Sequence, residues 1–535
     1  MCDMQQYDKL PSAVVQHNKS FGFLVCKLRV ACFASPIIDS VLHFHNMSRD
    51  NRIYIVGAGQ FGRAIAKEIG ENHTKARVIA FLDDDRDLIG TLVDGIPVLG
   101  PIETCVELLD HGHNSEALIA LPSAARKKLR NVYEALQRAG FSKIRILPSV
   151  SQIITADPHV VLAREIDPQD LLGREPVLID LRESLSYVRG KRVLITGAGG
   201  SIGAELSRQM LYGGAERLYL LDHGETSIWA IENELKYLQD AGIGEKATII
   251  PIVGELQDGD YVDFLLDRLK ADVVFHGAAH KHVPMMEQNP IEVIKNNVLG
   301  TRNIVNAVAR AGTQRFVLVS TDKAVAPASV YGVSKSIAES IVLAQRRQNC
   351  YFMVVRFGNV LGSRGSIMPL FKKQILAGGP VTITDPEAQR WFMTIPEAVS
   401  LILKTAGFSG SNGLYVLDMG DPVRIVDLAK QMIRFYGYEE DSIPITFIGM
   451  RPGEKKIESL WSDEEKPVAT EYPRIMKVEF PELQCNLARQ FIKEIEPVIS
   501  LDSSRPELFR NRHHLREIIK LHFPNVQGPV YEPEY

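Results

Sequence analysis

Short apolar segments alternate with longer amphipathic segments along most of this chain. The first such pair, RIYIVGAGQFGRAIAKEI from Arg52, has the pattern of an apolar strand, a glycine-rich turn and a helix. A second series starts with KRVLITGAGGSIGAELSRQML at Lys191 and continues through the apolar segments RLYLLDHGE, ADVVFHGAAH and RFVLVSTDK. Strands that alternate with helices in this way favour parallel sheets covered on both faces. The pattern therefore predicts an α/β protein with two Rossmann-like, doubly wound parallel-sheet domains.

The spacing of these elements also predicts the domain boundaries. We expect the first domain at residues 47–150 and the second at 191–480. The segment 151–190 between them is rich in leucine and isoleucine and poor in glycine and serine, so we expect a docked linker. Residues 481–535 have a helical pattern without an assignable motif, and they either pack on the second domain or mediate assembly. Residues 1–46 are expected to be a disordered extension, for which an upstream start codon is one explanation.

Composition narrows the function classes only slightly. The 535 residues are 45% hydrophobic and 24% charged, which suits an ordinary globular protein of two or three domains. The net charge is −4 and the pI is about 6.4, and no basic patch stands out, so we expect no nucleic-acid partner. The six cysteines lack C-x-x-C spacing, which argues against a zinc site or a disulfide framework and favours the reducing cytoplasm.

The nearest approach to a membrane segment lies at residues 21–45. Lys27, Arg29 and Asp39 interrupt every apolar run there that is long enough to cross a bilayer, so we expect no transmembrane span. Attachment of the N-terminal extension to the inner face of the membrane remains an open alternative.

The first glycine-rich turn has G-x-G-x-x-G spacing, formed by Gly57, Gly59 and Gly62. Glycines so placed allow a phosphate to approach a helix N-terminus, and Asp83 ends the next strand where a carboxylate suits ribose hydroxyls. The motif alone is weak evidence. A second nucleotide site and a turn kept only for packing are about equally good interpretations.

The second glycine-rich turn gives a stronger prediction. Asp222 ends the following strand, 19 residues after the last glycine, in register with turn, helix and strand. A carboxylate there accepts both adenosine ribose hydroxyls and repels a 2′-phosphate, so we predict NAD rather than NADP as the cofactor. The loop residues that we expect to bind it are Gly197, Gly200, Ser201, Ile202 and Gly203.

A polar run follows the strand RFVLV and precedes the helical pattern VYGVSKSIAESIVLAQ. Thr321 lies at the carboxyl end of that strand, the edge where doubly wound sheets bind ligands. Tyr331 and Lys335 would share one face of the helix. A neighbouring ammonium group lowers the pKa of a tyrosine, so the pair could remove a proton from a sugar or alcohol hydroxyl. A surface helix would be the alternative if the motif stood alone.

From Lys191 to about Phe480 the chain resembles the extended short-chain dehydrogenases/reductases. It is similar in particular to the UDP-N-acetylglucosamine 4,6-dehydratases of capsule, O-antigen and flagellin glycosylation. The blocks that carry this resemblance are TGAGGSIG, FHGAAHKHVPMMEQNPIEVIKNNVLGT, STDKAVAPASVYGVSK, RFGNVLGSRGSIMPLF, GPVTITDPEAQRWFMTIPEA and GMRPGEK. Residues 52–150 and the linker resemble the upstream region of the larger membrane-bound members. The resemblance adds a small C-terminal substrate-binding part to the second domain.

The resemblance implies a role for each residue of the polar run. Tyr331, helped by Lys335 and Thr321, would deprotonate the C-4 hydroxyl of the sugar while NAD accepts the C-4 hydride. Lys323 would then act as the base at C-5, and Asp322 as the acid that protonates the departing C-6 hydroxyl. An exposed Asp-Lys ion pair without function is the alternative for these last two residues.

The resemblance also nominates contacts for the nucleotide end of a UDP-sugar substrate. Arginine suits a diphosphate because its planar fork donates two hydrogen bonds and stays charged. Closely spaced His280, Lys281 and His282 could be considered a metal cluster, but no further ligand is in evidence, so we expect no metal. The nominated substrate residues are Asn359, Arg364, Arg390, Arg451 and Glu454.

One departure from the family pattern leaves the product stereochemistry open. The large membrane-bound members usually have methionine where this chain has Tyr331, whereas the short members that invert C-5 have tyrosine. A C-4 epimerase would need no C-5 base or C-6 acid and is the main alternative enzyme. A catalytically inactive sensing or scaffold protein is the alternative outside enzymes. We expect a homo-oligomer in either case.

Overall fold

The computed structural model describes residues 51–528 in two compact units, one before and one after residue 175. The predicted extension 1–46 and most of the predicted linker lie outside the described residues. Within 51–528, the residues not described are 72–75, 107–108, 110–114, 122–123, 125, 142, 148–163, 166–183, 241, 245, 346–349, 409–411 and 480–482.

The first unit is built on a seven-stranded sheet with the order β3-β4-β2-β1-β5-β6-β7. Its neighbouring strands run parallel except at the edges, where β3 pairs with β4 and β7 with β6 in antiparallel fashion. The core includes Ile55, Phe81, Val98 and Leu118, whose burial explains the apolar strand patterns. The elements are β1 (Asn51–Val56), α1 (Gln60–Glu71), β2 (Ala76–Leu82), β3 (Leu92–Val93), β4 (Ile96–Leu99), α2 (Ile102–Val106), β5 (Ser115–Ile119), α3 (Arg126–Arg138), β6 (Lys143–Ile146) and β7 (Arg164–Glu165).

The second unit is built on a nine-stranded sheet with the order β10-β9-β8-β11-β12-β13-β18-β22-β21. Strands β10 to β18 in this order are parallel, and β22 and β21 continue the sheet in antiparallel fashion. The strands of this sheet are β8 (Arg192–Thr196), β9 (Arg217–Asp222), β10 (Thr248–Val253), β11 (Val273–His276), β12 (Arg315–Val319), β13 (Tyr351–Arg356), β18 (Gly413–Leu417), β21 (Lys466–Ala469) and β22 (Ile475–Glu479).

Helices follow the central strands of this sheet, as the alternating pattern predicts. Strand β11 is buried along its whole length, and such strands need helices on both faces of the sheet. The helices are α4 (Ser201–Tyr212), α5 (Glu225–Asp240), α6 (Gly259–Leu269), α7 (Val283–Gln288), α8 (Pro290–Ile294), α9 (Gly300–Ala311), α10 (Val330–Leu343), α11 (Ile367–Leu376), α12 (Ile395–Gly407) and α13 (Ile425–Phe435). The predicted fold class, two doubly wound parallel-sheet domains, is confirmed.

Three short strand pairs form a smaller part beyond the carboxyl ends of the main sheet. They are β14 (Asn359–Leu361) with β17 (Phe392–Thr394), β15 (Val381–Ile383) with β20 (Ile445–Phe447), and β16 (Gln389–Arg390) with β19 (Val423–Arg424). Asn359 and Arg390, two of the nominated substrate residues, lie on this smaller part.

The described residues of the C-terminal extension form two helices, α14 (Leu483–Ile499) and α15 (Arg512–His522). Helix α14 packs on α10, and α15 packs on α8 and on α14. Phe491, Ile495 and Leu515 are buried in these contacts. The end of the predicted linker also lies on the second unit, where the Tyr187 hydroxyl donates to the Leu403 carbonyl at 3.2 Å. None of the helices in the described part of the chain is both long and apolar enough to cross a bilayer.

Candidate active site

A cavity of about 350 Å³ opens where the strand order of the second unit reverses, between β8 and β11. Ligands of open α/β sheets bind at this point because the loops after the two strands separate there. The residues that line the cavity include Gly197, Gly199, Gly200, Ser201, Asp222, Gly277, Lys281, His282 and Arg364.

The glycine-rich loop of this cavity has no room for side chains. Gly197 has a φ of +68°, a left-handed conformation that favours glycine. A Cβ at Gly203 would collide with the Gly197 carbonyl, so α4 can begin close against the loop only with glycine there. Asp222 accepts hydrogen bonds from the backbone N–H groups of Gly199 and Gly224, each at 3.0 Å. The loop and its carboxylate thus form the close-fitting cradle that a dinucleotide requires.

Two cations border the same loop. The Arg364 backbone N–H donates to Ser201 Oγ at 3.1 Å, and its guanidinium group donates to the Gly199 carbonyl. The Lys281 ammonium donates to the Arg364 carbonyl at 2.8 Å, and burial followed by the charge of Arg364 lowers the pKa of Lys281. Arg364 therefore borders the cavity at the glycine-rich loop, whereas the sequence analysis nominated it for the substrate. Two positive charges beside a glycine loop suit a diphosphate.

Thr321, Asp322 and Lys323 stand at the carboxyl end of β12, in and beside a single 3₁₀ turn. The Thr321 hydroxyl donates to Asp322 Oδ1 at 2.9 Å, and the Lys323 ammonium donates to the same oxygen at 3.0 Å. Asp322 is fully buried, and its Oδ2 has no hydrogen-bond partner among the described residues. A buried carboxylate oxygen without a partner is costly and often indicates a ligand contact. The predicted Asp-Lys pair is therefore not an exposed surface pair.

Tyr331 and Lys335 lie one turn apart on α10, and both are buried, as their spacing predicts. The expected lowering of the Tyr331 pKa is wrong for this structure. Burial, and then the charge of Asp322, raises the pKa of Tyr331, while a hydrogen bond with Thr321 acts in the opposite direction. The Lys335 ammonium donates to the Val319 carbonyl at 2.8 Å, and burial lowers the pKa of Lys335 to about 8. Desolvation by burial is the largest cause of both shifts in pKa.

A buried ionic network fixes α10 to the strands beneath it. Arg356 donates to Glu339 on α10 at 2.6 Å and to Glu465 at 2.8 Å, and these side chains are almost completely buried. Ser320, the residue before the catalytic run, donates to the same Glu339 at 2.5 Å. Breaking a buried network of this kind is strongly destabilising because it leaves charges unpaired. The network thus holds the helix and the strand end in register.

A single π-helical turn, Lys295–Leu299, also connects the loop at His280 with α10 through hydrogen bonds. The sequence pattern did not indicate this turn. Asn297 in this turn accepts a hydrogen bond from the His280 N–H at 2.9 Å and donates to the His280 carbonyl at 3.0 Å. It also donates to Ser334 Oγ at 2.9 Å, next to Lys335. His280 is therefore held by its backbone, and no group of side chains in the described residues could hold a metal ion.

The remaining nominated substrate residues lie around the polar run. Asn359 Oδ1 accepts from the Lys323 ammonium at 3.1 Å, so it contacts the lysine that the sequence analysis nominated as a base. Arg390 is held by donation to the carbonyls of Gln389 and Lys456. Arg451 Nη1 lies 3.9 Å from Glu454 Oε1. The other carboxylate oxygen of Glu454, Oε2, is buried and has no hydrogen-bond partner among the described residues.

Glu458 is a buried acid that the sequence analysis missed. Its side chain is 4% exposed, and its Oε2 has no hydrogen-bond partner in the described part of the chain. Its backbone carbonyl accepts from the Trp391 indole at 3.0 Å. Burial raises the pKa of Glu458, the charge of Lys323 lowers it and that of Asp322 raises it. The only sequence signal was its position four residues after Glu454, just past the block GMRPGEK.

The glycine-rich loop after β1 in the first unit resembles the loop after β8 in the second unit. It lies between β1 and β5, where the strand order of the first sheet reverses. Gly57 has a φ of +107°, and a Cβ at Gly62 would collide with its carbonyl. Asp83 Oδ2 accepts from the Ala58 N–H at 2.6 Å, the counterpart of the contact between Asp222 and Gly199. Gly59, in contrast, has nothing within 4 Å of an added Cβ. This loop could bind a nucleotide, but its geometry is equally that of a packing turn.

The doubly wound sheet, with a glycine-rich cavity at its reversal point and with Tyr331 and Lys335 one turn apart on α10, puts the second unit in the class of extended short-chain dehydrogenases/reductases. Within that class, residues 193–480 match the family model described as polysaccharide biosynthesis protein. The chain belongs to this family, as the resemblance implied. A separate family model, described as a CoA-binding domain, matches residues 21–148.

Named relatives agree with this membership. The chain is 40% identical over 427 residues to the probable polysaccharide biosynthesis protein EpsC of Bacillus subtilis, covering 79% of this chain and 71% of EpsC. It is 39% identical to the capsular polysaccharide biosynthesis protein CapD of Staphylococcus aureus, covering 79% and 70%. It is also 33% identical over 337 residues to a UDP-glucose 4-epimerase of Rickettsia canadensis, covering 62% of this chain and 95% of that enzyme.

Proposed function

We propose that the protein is an NAD-dependent nucleotide-sugar 4,6-dehydratase that converts UDP-N-acetylglucosamine to a 4-keto-6-deoxy sugar for surface polysaccharide or glycoprotein glycan synthesis. One observation carries the proposal. Beside Thr321 and Tyr331, the site contains a buried carboxylic acid and a lysine in contact, Asp322 and Lys323, 3.0 Å apart. Oxidation and reduction at C-4 need neither of them, whereas elimination of water needs both an acid and a base.

The cofactor cavity fits NAD by its chemistry. When bound, NAD would accept the C-4 hydride and return it to C-6. The residues that would hold it are the loop Gly197–Gly203 and Asp222, with Lys281 and Arg364 beside its diphosphate. Asp222 supports NAD over NADP, because a carboxylate at this position would repel a 2′-phosphate.

Tyr331 takes the proton of the C-4 hydroxyl in this proposal. Its contact with Thr321 orients the phenol, and Lys335 stands one turn further along α10. Because burial raises the tyrosine pKa in the protein alone, the tyrosine must be activated by charge that arrives with the ligands. Lys335, whose pKa is lowered to about 8, contributes positive charge mainly below that pH.

Lys323 and Asp322 carry out the elimination. Lys323 removes the C-5 proton, made acidic by the C-4 ketone, and Asp322 delivers a proton to the C-6 hydroxyl, which departs as water. After the hydride has been returned to C-6, the Lys323 ammonium group or water supplies the proton that returns to C-5 and completes the product. The free Oδ2 of Asp322 faces Gly358, where a Cβ would lie 3.0 Å from it. Any side chain at this position would crowd that oxygen and Trp391.

The nucleotide end of the substrate would lie along the smaller part of the second unit. Arg390 and Arg451 supply positive charge there, and Asn359 and Glu454 supply polar contacts. We assign Arg364 to the cofactor rather than to the substrate because of its contacts with Gly199 and Ser201.

A second candidate is a UDP-sugar 4-epimerase, favoured by the relationship to the Rickettsia canadensis enzyme. That reaction would use Tyr331, Lys335 and the cofactor but leave Asp322 and Lys323 without chemistry. For the first unit, the matched CoA-binding domain model supports a nucleotide ligand at Gly57–Gly62 and Asp83. An inactive sensing protein is the remaining alternative.

Proton NMR of UDP-N-acetylglucosamine incubated with the full chain in deuterated water tests the proposal. A new 6-deoxy methyl signal with a ketone or hydrate at C-4 is expected, and the ring couplings would report the C-5 configuration. Conversion to the galacto epimer alone would establish the epimerase instead. No change in the sugar would count against both enzymes for this substrate and would favour the sensing alternative.

A further inference from the structure

A buried glutamate at the end of α7 holds the first turn of the catalytic helix. Glu287 is 2% exposed, and its Oε1 accepts a hydrogen bond from the Val330 backbone N–H at 2.7 Å. Val330 is the first residue of α10 and directly precedes Tyr331. The first N–H groups of a helix have no partner within the helix, so a side-chain carboxylate there fixes where the helix begins.

The other side of this glutamate is held from the C-terminal extension. Arg516 on α15 donates through Nη1 to Glu287 Oε2 at 3.3 Å and through Nη2 to the Glu287 backbone carbonyl at 2.6 Å. The arginine fork thus binds the side chain and the main chain of the same residue. Residue 516 lies beyond residue 480, where the match to the polysaccharide biosynthesis family model ends.

The loop that carries two proposed substrate residues packs against the same contact. Gly453, between Arg451 and Glu454, has a φ of +79°. A Cβ at Gly453 would lie 2.7 Å from Ser329 Cβ and 3.3 Å from Glu287 Oε1. Glu287 is therefore the point where the catalytic helix, the substrate loop and the C-terminal extension meet.

We propose that Arg516 is a positioning residue for the active site, which acts through Glu287 on the start of α10 and hence on Tyr331. Its effect on turnover rests on the proposed function, whereas its effect on the helix does not. Removing one partner of a buried ion pair leaves the other charge uncompensated, so Glu287 would shift or acquire water. A small displacement of a catalytic group is enough to slow a reaction by large factors.

The extension offers a matched control. Arg510, also in the extension, pairs with Glu292 on α8 at 2.5 Å, and both of these side chains are partly exposed. Arg516→Gln and Arg510→Gln each remove one positive charge and one ion pair between the extension and the rest of the second unit. Of the two changes, only Arg516→Gln removes a contact with Glu287.

The experiment measures two quantities on the full chain. Hydrogen exchange without ligands, followed on peptides that contain Val330, reports the start of α10. Steady-state turnover of UDP-N-acetylglucosamine reports catalysis. We expect Arg516→Gln to speed exchange there and to lower kcat about tenfold or more with little change in KM. Arg510→Gln should leave both near the wild-type values. Arg516→Lys, which keeps the charge, should recover part of the turnover and provides a test if the glutamine variant folds poorly.

Three results would overturn the proposal: equal behaviour of the two glutamine variants, faster exchange at Val330 with unchanged kcat, or lower kcat with unchanged exchange. If the wild-type protein turned over no UDP-N-acetylglucosamine, the proposed function would fail for that substrate. The exchange comparison would still decide whether Arg516 holds the start of α10.

Discussion

Asp322 is the residue whose role separates the two candidate reactions. Asp322→Asn keeps the size of the side chain and an oxygen that can accept from Lys323, but it removes the acid. We expect formation of the 6-deoxy product to fall by about a hundredfold or more, because general acid catalysis is lost. Proton NMR of the sugar product measures this change.

The same variant should leave hydride removal from C-4 largely intact, which absorbance of the reduced cofactor would show. Asp263→Asn, at an exposed ion pair with Arg310, is the matched control and should behave like wild type. An Asp322→Asn protein that forms the 6-deoxy sugar at the normal rate would contradict the assigned acid.

Glu458 should influence the pH dependence of turnover. When Lys323 takes the C-5 proton it becomes an ammonium group, and ionised Glu458 would balance that charge. Since burial raises the pKa of Glu458, wild-type kcat should fall as pH drops through that raised value. Glu458→Gln should have a lower kcat at neutral pH, and its kcat should no longer fall at acidic pH through the ionisation of residue 458.

The control for this prediction is Glu387→Gln, at a largely exposed side chain. Its pH profile should match that of the wild type. A Glu458→Gln enzyme whose kcat still falls at acidic pH as in the wild type would show that Glu458 is only a structural acid.

At the residue scale, the proximity of the nominated groups was predictable where they are close in sequence. Thr321 to Lys335 lie within one strand end and one helix, so local spacing brings them together. Glu458 and Arg516 escaped prediction because they approach the site only through long-range packing. The predicted shift of the Tyr331 pKa had the wrong direction for the same reason. Spacing places Lys335 nearby, but it does not reveal how deeply both side chains are buried.

At the level of elements, the two glycine loops make a matched pair. A Cβ at Gly203 or at Gly62 would collide with the first glycine of its own loop. We expect Gly203→Ala to weaken NAD binding and to destabilise the second unit by about 1–3 kcal/mol, the usual cost of overpacking. Titration with NADH, followed by fluorescence, measures the binding.

Gly62→Ala should leave that NADH affinity unchanged, because its collision lies in the other loop. Thermal unfolding should nevertheless report a destabilised first unit. Loss of NADH binding in Gly62→Ala but not in Gly203→Ala would mean that the cofactor loop has been assigned to the wrong unit.

Helices and strands with a strong hydrophobic pattern could be predicted from the sequence. Elements with a weak pattern could not. Apolar runs such as β8 and β11 can be stable only inside a parallel sheet, so their neighbours and helices were predictable. The π-helical turn Lys295–Leu299 has no composition signal. It forms because Asn297 bridges His280 and Ser334, and neither contact is visible from local sequence.

For the whole molecule, buried His276 should make stability sensitive to acid. It bridges Thr196 and Thr301 at 2.7 and 3.0 Å, and burial, followed by the charge of Lys335, lowers the pKa of His276 to about 3. The unfolded chain binds this proton near pH 6.5, so it holds more protons than the folded protein at pH values between the two. The free energy of unfolding should therefore fall as pH drops below 6.5, by up to about 1.4 kcal/mol per pH unit.

Denaturant unfolding at several pH values measures this slope. His276→Gln keeps a side chain that can hydrogen-bond but does not titrate, so its slope between pH 6.5 and 3 should be shallower than that of the wild type. Equal slopes for the two proteins would contradict the role of His276.

Sequence alone predicted two doubly wound units, which the structure confirms. It also nominated the glycine-rich loop for a dinucleotide and the run from Thr321 to Lys335 for catalysis, and these roles stay predictions. These features depend on hydrophobic periodicity and on spacing within one strand, turn and helix. Tertiary structure alone decided that Arg364 contacts the glycine-rich loop and that the charges of the Asp-Lys pair act on Glu458. It alone also decided that Arg516 contacts Glu287, which accepts a hydrogen bond from the first residue of α10. Such contacts join residues far apart in the chain, and only the packing of the whole second unit determines which of them meet.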